Sequence, residues 1–263
     1  MKRSAIILLA LAAILSILAG CSTSAGNKEK EETKDTIIVG IDDTFAPMGF
    51  RDENNEIVGF DIDLASAAIE HMGKEIEFQP IDWSTKESEL SSGRIDLIWN
   101  GYTITKEREK QVLFTEPYLE NSQVIVTLTD SDIESIADLT GKKIGLQAQS
   151  SALNALNGNE IVSKVESVTE YKTNVLALND LKIGRVDAVI IDEIVIDYYM
   201  TKETDTYTVL EEALAPELYG IGVKKGNEEL LNDLQAALDE MNEDGTATEI
   251  SEKWFGVDKV LKH

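Results

Sequence analysis

A small set of side chains could hold a compact charged molecule. Arg108 stands at the third position of a helix that Thr105 can cap, directly after Gly101-Tyr102-Thr103-Ile104. A guanidinium at that place grips a carboxylate through two parallel hydrogen bonds, and helix amino-terminal amides add donors. The competing reading is a solvated ion pair with Glu107 or Glu109. Asp42 ends the first strand, and Phe45 lies on the loop beyond it, in Asp42-Asp43-Thr44-Phe45-Ala46-Pro47. The carboxylate can accept from an ammonium, and the ring can cover an apolar or cationic group. Trp83 follows the strand expected over residues 76–81 and is a second aromatic in an equivalent place. For both rings the competing reading is ordinary inward packing.

The elements that would position these groups are written partly in duplicate. Residues 93–101 read GRIDLIWNG and residues 184–192 read GRVDAVIID. In each, a helix stops at glycine, an Arg-apolar-Asp step follows, and an apolar run begins without the alternation of a half-exposed strand. Strands covered on both faces have that pattern. The endings differ, Asn100-Gly101 against Ile191-Asp192, and ligands of open α/β sheets gather beyond the carboxyl ends of strands. Two similar lobes presenting their strand ends to one cleft would explain the duplication; chance repetition of a common helix-Gly-strand step is the alternative. The wider pattern predicts strands over 37–41, 76–81, 95–99, 123–128, 143–147, 165–168, 186–191, 207–210 and 219–223. Helices are expected near 62–73, 87–92, 106–111, 133–139, 151–156, 173–183, 193–200, 228–241 and 247–255. Strands and helices in this order predict an α/β class with mostly parallel sheets.

With 263 residues, 43% of them hydrophobic, the chain can build one large domain or two modest ones. Its 49 acids against 24 bases give a net charge of −25, which excludes nucleic acid as a partner and leaves a well-solvated surface. Lys2 and Arg3 precede an apolar stretch over 6–19, shorter than the ~20 residues of a membrane-crossing helix. It reads as an export signal over residues 1–20, with a short anchor helix as the alternative. Cys21 is the only cysteine and makes no internal disulfide. Leu18-Ala19-Gly20-Cys21 resembles the bacterial lipobox, which implies cleavage before Cys21 and a lipid on its thiol. Residues 22–35 carry no apolar side chain larger than alanine and read as a flexible tether.

Four stretches together resemble the amino-acid-binding family of bacterial ABC-transporter solute-binding proteins. They are Asp42 to Pro47 with Val58-Gly59-Phe60-Asp61-Ile62-Asp63-Leu64; Gly101 to Thr105 with Glu107-Arg108; Phe114-Thr115-Glu116-Pro117-Tyr118; and Lys253-Trp254-Phe255-Gly256. The resemblance covers nearly all of residues 36–256. It implies a two-lobed periplasmic-binding-protein type 2 fold that closes on its ligand like a hinged clamp. Residues 36–119 and 220–263 would form a discontinuous first lobe and 120–219 the second, with crossings near 118–123 and 216–221. The resemblance also implies roles. Arg108 would hold the ligand carboxylate, supported by the Thr103 hydroxyl and amide. The Gly101 carbonyl and Asp192 would hold the α-ammonium. Phe45 and Trp83 would sandwich the side chain, with Asp42 near its far end.

Where the family often has a Gly-Thr step, this chain has Gln147-Ala148-Gln149-Ser150-Ser151. Ser150 and Ser151 can still present a helix amino end to the carboxylate, while Gln149 replaces a glycine. Asn100 is a further ligand candidate, and Trp99 reads as core. An acidic ligand would lack a cation and meet Asp42 and Glu87, so a neutral polar or basic amino acid such as glutamine, lysine, arginine or cystine is expected. His71 and His263 are badly placed for a triad, and no HExxH, CxxC or phosphate-cradling glycine loop occurs. The expectation is a binder without catalytic residues, metal or cofactor: a monomer, lipid-anchored outside the cell membrane, serving an ABC permease with a cytoplasmic ATPase. The alternatives are a same-fold dehydratase or lyase, and an amino-acid sensor or adhesin.

Overall fold

A computed structural model describes residues 36–263; the expected export signal, Cys21 and the tether lie outside them. Strand β1 (Thr36–Ile41) is the apolar run TIIVGI, and Val39 and Ile41 are fully buried. It is flanked in parallel by β5 (Glu75–Pro80) and β6 (Leu97–Ile98). Beyond β6 the sheet turns antiparallel, through β14 (Gly222–Lys224) and then β7 (Val112–Phe114). A strand from near the carboxyl end of the chain therefore sits inside the first sheet. The second sheet runs β10 (Ser167–Tyr171), β9 (Lys143–Gln147), β11 (Ala188–Asp192), β8 (Leu119–Leu128) and β12 (Tyr207–Val209). Its first three strands are parallel, and β8 pairs antiparallel with β11 and β12.

Strand β13 (Ala215–Tyr219) pairs antiparallel with the first half of β8, Leu119 facing Tyr219 and Gln123 facing Ala215. The stretches expected as crossings thus run side by side. The sequence predicts one strand over 219–223; the chain instead divides at Gly220–Ile221 between β13 and β14, which lie in different sheets. A Cβ on Gly220 would stand 2.9 Å from Ile104 Cδ1 and 3.1 Å from Phe114 Cδ1, so any larger residue would have to push these side chains aside. Strands β2 (Thr44–Phe45), β3 (Gly49–Arg51) and β4 (Ile57–Val58) form a small meander that the sequence reading treats as a loop. It fixes the position of Phe45.

Helix α1 (Phe60–His71) buries Phe60, Leu64, Ala65, Ala68 and Ile69, the spacing of one helical face. Helix α6 (Glu228–Asp244) brings Leu230, Leu234, Ala237, Leu238 and Met241 to the same core. Each fully buried aliphatic side chain of this kind contributes about 1.5–3 kcal/mol. Helix α7 (Thr246–Phe255) is pinned to α1 by Trp254 Nε1, which donates to Asp63 Oδ2 at 2.6 Å. The remaining helices are α2 (Lys86–Ser92), α3 (Ser151–Asn157), α4 (Asn174–Lys182) and α5 (Glu193–Lys202).

The duplicated phrase has one structural meaning in both places. Helices α2 and α4 end at Gly93 and Gly184, both left-handed, with φ of 76° and 71°. The Arg94 amide then donates to Glu89 O and the Arg185 amide to Asp180 O. Asp96 Oδ2 accepts the Ile38 amide at 2.9 Å, and Asp187 Oδ2 accepts the Lys143 amide at 2.7 Å. Each aspartate thus ties its own strand to the start of the strand beside it. Two expected helices are reduced to single 3-10 turns. Over 106–111 only Arg108–Lys110 is helical, because β7 begins at Val112 and leaves room for one turn. Over 133–139 only Ile136–Leu139 is, started by a capping box between Ser135 and Asp138.

Candidate functional site

The first copy of the phrase ends at Gly101, whose φ of 56° is left-handed. A Cβ there would lie 2.8 Å from Phe45 Cε1, so both the backbone and the space require glycine. The Gly101 amide donates to Asp61 Oδ2 at 2.7 Å, and the Tyr118 hydroxyl donates to the same oxygen at 3.0 Å. Asp61 is 1% exposed, and burial pushes its carboxyl up to about 7 against the pull of those donors. This anchor sets the direction of Tyr102 and Thr103.

Arg108 is 5% exposed. Its amide donates to Thr105 Oγ1 at 3.2 Å, the cap expected from the sequence. Nη1 donates to Thr103 O at 2.8 Å, and the guanidinium lies 4.5 Å over the Tyr102 ring. Nε is 3.8 Å from Glu87 Oε1. The solvated pair with Glu107 or Glu109 is therefore not what forms: the side chain turns inward and leaves both glutamates exposed. The Tyr102 hydroxyl donates to Glu87 Oε1 at 3.0 Å. Burial lowers the Lys86 ammonium to about 8, with Arg108 adding to the shift. Lys86 is a second buried cation beside Arg108 that the sequence reading did not place. Its ammonium donates to Trp83 O at 3.1 Å and Gln149 O at 3.0 Å, and stands 3.3 Å from Glu87 Oε1.

The second copy of the phrase ends at Asp192, 4% exposed. Its Oδ1 accepts from the Tyr219 hydroxyl at 2.6 Å and from Asn121 Nδ2 at 2.9 Å. Glu217 Oε2 accepts from Asn121 Nδ2 at 3.2 Å, Gln123 Nε2 at 3.1 Å and Thr103 Oγ1 at 3.1 Å. Burial, and then the charge of Glu217, push Asp192 up to about 7. Thr103 Oγ1 is also 3.1 Å from Ser151 Oγ, which accepts from Gln123 Nε2 at 3.2 Å. Gln147 Nε2 donates to Asp42 Oδ2 at 2.6 Å, while Asp42 Oδ1 accepts from the Thr44 amide and hydroxyl. Burial raises the Asp42 carboxyl. Ser150 Oγ donates to Gln147 O at 2.7 Å.

Thr103, Arg108, Ser151 and Asp192 are thus joined through Glu217 and Asn121, and Asp42, Gln147 and Ser150 form a second linked group. Gln149 O joins Arg108 Nη2, at 3.4 Å, to the turn between Gln147 and Ser150. Phe45 and Trp83 are buried beside these groups, Phe45 against Gly101 and Trp83 edge-on to Tyr102 at 5.9 Å. Asn100 stands apart. Its amide lies under Gly49 in β3, and neither side-chain polar atom has a hydrogen-bond partner. Trp99 is fully buried, as expected of a core residue.

The sequence reading missed Lys86, Asn121, Gln123, Glu217 and Tyr219. The one available signal was polar residues on strands otherwise apolar, as at Gln123 before Val124-Ile125-Val126. An open cavity of about 1,110 Å³ runs beside the crossing strands, reaching Thr103, Asn121, Ser151 and Glu217 of the network but not Arg108, Asp192, Asp42, Phe45 or Trp83. His71 lies by Glu240 and Asp244, and His263 by Glu116 and Pro117, both outside the network. Among the described residues no cluster of three or more His, Cys, Asp or Glu is arranged to hold a metal ion.

Two mixed α/β sheets joined by the β8–β13 pair are the architecture of the two-lobed periplasmic binding proteins. The chain belongs to the bacterial extracellular solute-binding proteins, family 3, whose pattern matches residues 37–257. It is 34% identical to the L-cystine-binding protein TcyJ of Escherichia coli (strain K12), over 95% of this chain and 92% of that one. It is 33% identical to the arginine-binding extracellular protein ArtP of Bacillus subtilis (strain 168), over 97% and 98%. Among solved structures it is similar to an ABC uptake transporter substrate-binding protein from Streptococcus pneumoniae with bound histidine. The TM-score is 0.85 at 40% identity, covering 91% of this chain and all of that one.

Proposed function

We propose that the protein captures a basic or neutral polar L-amino acid outside the cell membrane and hands it to an ABC permease, held to the membrane by a lipid on Cys21. The observation that carries this reading is the placement of Arg108 and Asp192. A buried cation and a buried anion, joined through Thr103, Glu217 and Asn121, match the two ends of a zwitterion. Arg108 takes the carboxylate with Thr103 and Ser151. Asp192 and the Gly101 carbonyl take the ammonium, and Phe45 and Trp83 enclose the side chain beside Asp42 and Gln147. Asn100, buried with both amide atoms unpartnered, is a further candidate for a polar contact to the ligand.

Charge narrows the ligand. Asp42, Glu87, Asp192 and Glu217 outnumber Arg108 and Lys86, and the hydrogens of Lys86 face protein acceptors. A second ligand carboxylate finds no free cation, whereas a second positive group meets surplus acid. The cystine and arginine specificities of the two relatives agree with this. The lobes are residues 36–119 with 220–263, and 120–219, hinged at the β8–β13 pair, and the protein acts as a monomer. A binder is favoured over an enzyme because neither histidine reaches the network and its acids are occupied by hydrogen bonds.

The test is thermal unfolding of the full chain with each common L-amino acid and with cystine. A ligand at ~100 times its Kd stabilises by ~2.7 kcal/mol, a clear rise in Tm. Rises confined to arginine, lysine, histidine, glutamine or cystine support the proposal. Rises confined to aspartate or glutamate, or none across the panel, refute it. Arg108→Ala should abolish the rise and leave a folded protein.

A further inference from the structure

Three non-glycine residues among those described have left-handed backbones: Asn55, Gln149 and Asp205. Asn and Asp tolerate this conformation because their short polar side chains bond locally. Gln149 has no such excuse, and its φ of 56° is strained. The Ser150 amide and hydroxyl donate to Gln147 O at 3.3 and 2.7 Å, and the Ala148 amide donates to Tyr171 O at 2.8 Å, but none of these holds the carbonyl of Gln149 itself. That carbonyl is held from α2 and from the 3-10 turn of Arg108. Gln149 O receives Lys86 Nζ at 3.0 Å and Arg108 Nη2 at 3.4 Å. Lys86 is 1% exposed, an extreme position for a lysine. Its three ammonium hydrogens face three acceptors: Trp83 O, Gln149 O and Glu87 Oε1. None is left for a ligand.

We propose that Lys86 is a positioning residue: by holding the Gln149 carbonyl it fixes the strained turn that carries Gln147, Ser150 and Ser151 to the ligand. The inference rests on the amino-acid-binding reading of this site. It explains the burial of a lysine that the binding roles leave unused, and the glutamine found where glycine would be free of strain. On this account Lys86 and Gln149 are one device. A chain with glycine at 149 would not need the lysine.

The experiment is a double-mutant cycle on the full chain. L-arginine, L-lysine, L-histidine, L-glutamine and cystine affinities are measured by calorimetry for wild type, Lys86→Met, Gln149→Gly and the double variant. Amide exchange over residues 148–152 is followed without ligand. Lys86→Met should weaken the best ligand at least tenfold in the wild-type background and less than threefold in the Gln149→Gly background. Exchange at 148–152 should accelerate at least tenfold in Lys86→Met, with exchange in β1 unchanged. If Lys86→Met does not fold, Lys86→Gln takes its place, because its polar amide tolerates burial beside Glu87 while the side chain is one bond shorter than the one that reaches Gln149 O. An equal loss in both backgrounds, or no loss, overturns the proposal. If wild type binds none of the probes, the functional reading fails, and exchange alone decides: acceleration confined to 148–152 sustains the role of Lys86, and unchanged exchange refutes it.

Discussion

Ligand binding should release a proton, and the size of the effect follows from Asp192. Its carboxyl is held at about 7 against 3.8 in the free side chain, first by burial and then by Glu217. The folded, ligand-free state therefore keeps a proton that the unfolded chain has lost above pH 4. Stability from this group is full below pH ~4, falls as pH rises to ~7, and stays low beyond. A ligand ammonium beside Asp192 reverses the preference, because the ionised carboxylate then has a counter-ion. Affinity should rise about tenfold per pH unit up to ~7 and level off above, so binding at pH 5.5 is roughly thirtyfold weaker than at pH 8. Calorimetry at pH 6 in two buffers of different ionisation enthalpy should show release of close to one proton per ligand. Asp192→Asn should bind weakly and lose most of the pH dependence. An affinity that is flat with pH in wild type, or a pH dependence unchanged in Asp192→Asn, would refute the reasoning.

Three further outcomes follow. Asp61, also held at about 7, adds a second fall in stability between pH 4 and 7, and Asp61→Asn should flatten that part of the pH profile in chemical unfolding. Gly101→Ala should lower both stability and affinity, because the new Cβ would stand 2.8 Å from Phe45 in a left-handed backbone; a cost of about 1–3 kcal/mol is expected, read by urea unfolding. Leu234→Ala, at a fully buried position of α6, should cost about 2–5 kcal/mol and leave ligand affinity in the remaining folded protein within threefold.

The duplicated phrase made the scaffold legible. Its glycines, arginines and aspartates act locally, within one helix-strand step, and local grammar is what a sequence displays. Arg108 and Asp192 were legible for the same reason, standing beyond the ends of apolar strands. Lys86 was not, because its burial arises only where Gln149 of the second sheet meets α2, residues 63 positions apart in the chain. Glu217 likewise becomes notable only once β13 is paired with β8 and brings it to Gln123 and Thr103. The division at Gly220–Ile221 was legible only through the family resemblance, which put a crossing near 216–221; the residue pattern over 219–223 by itself reads as one strand.

That division fixes an order of events for a chain made from its amino end. All strands of the second sheet lie between Leu119 and Tyr219 and can pair as soon as they emerge. The first sheet begins earlier and finishes later. Strands β6 and β7 have no direct pairing and are joined only through β14, so they stay apart until Lys224 has been synthesised. The sheet that opens the chain is the last to become whole, and until β14 arrives β6 has one unpaired edge.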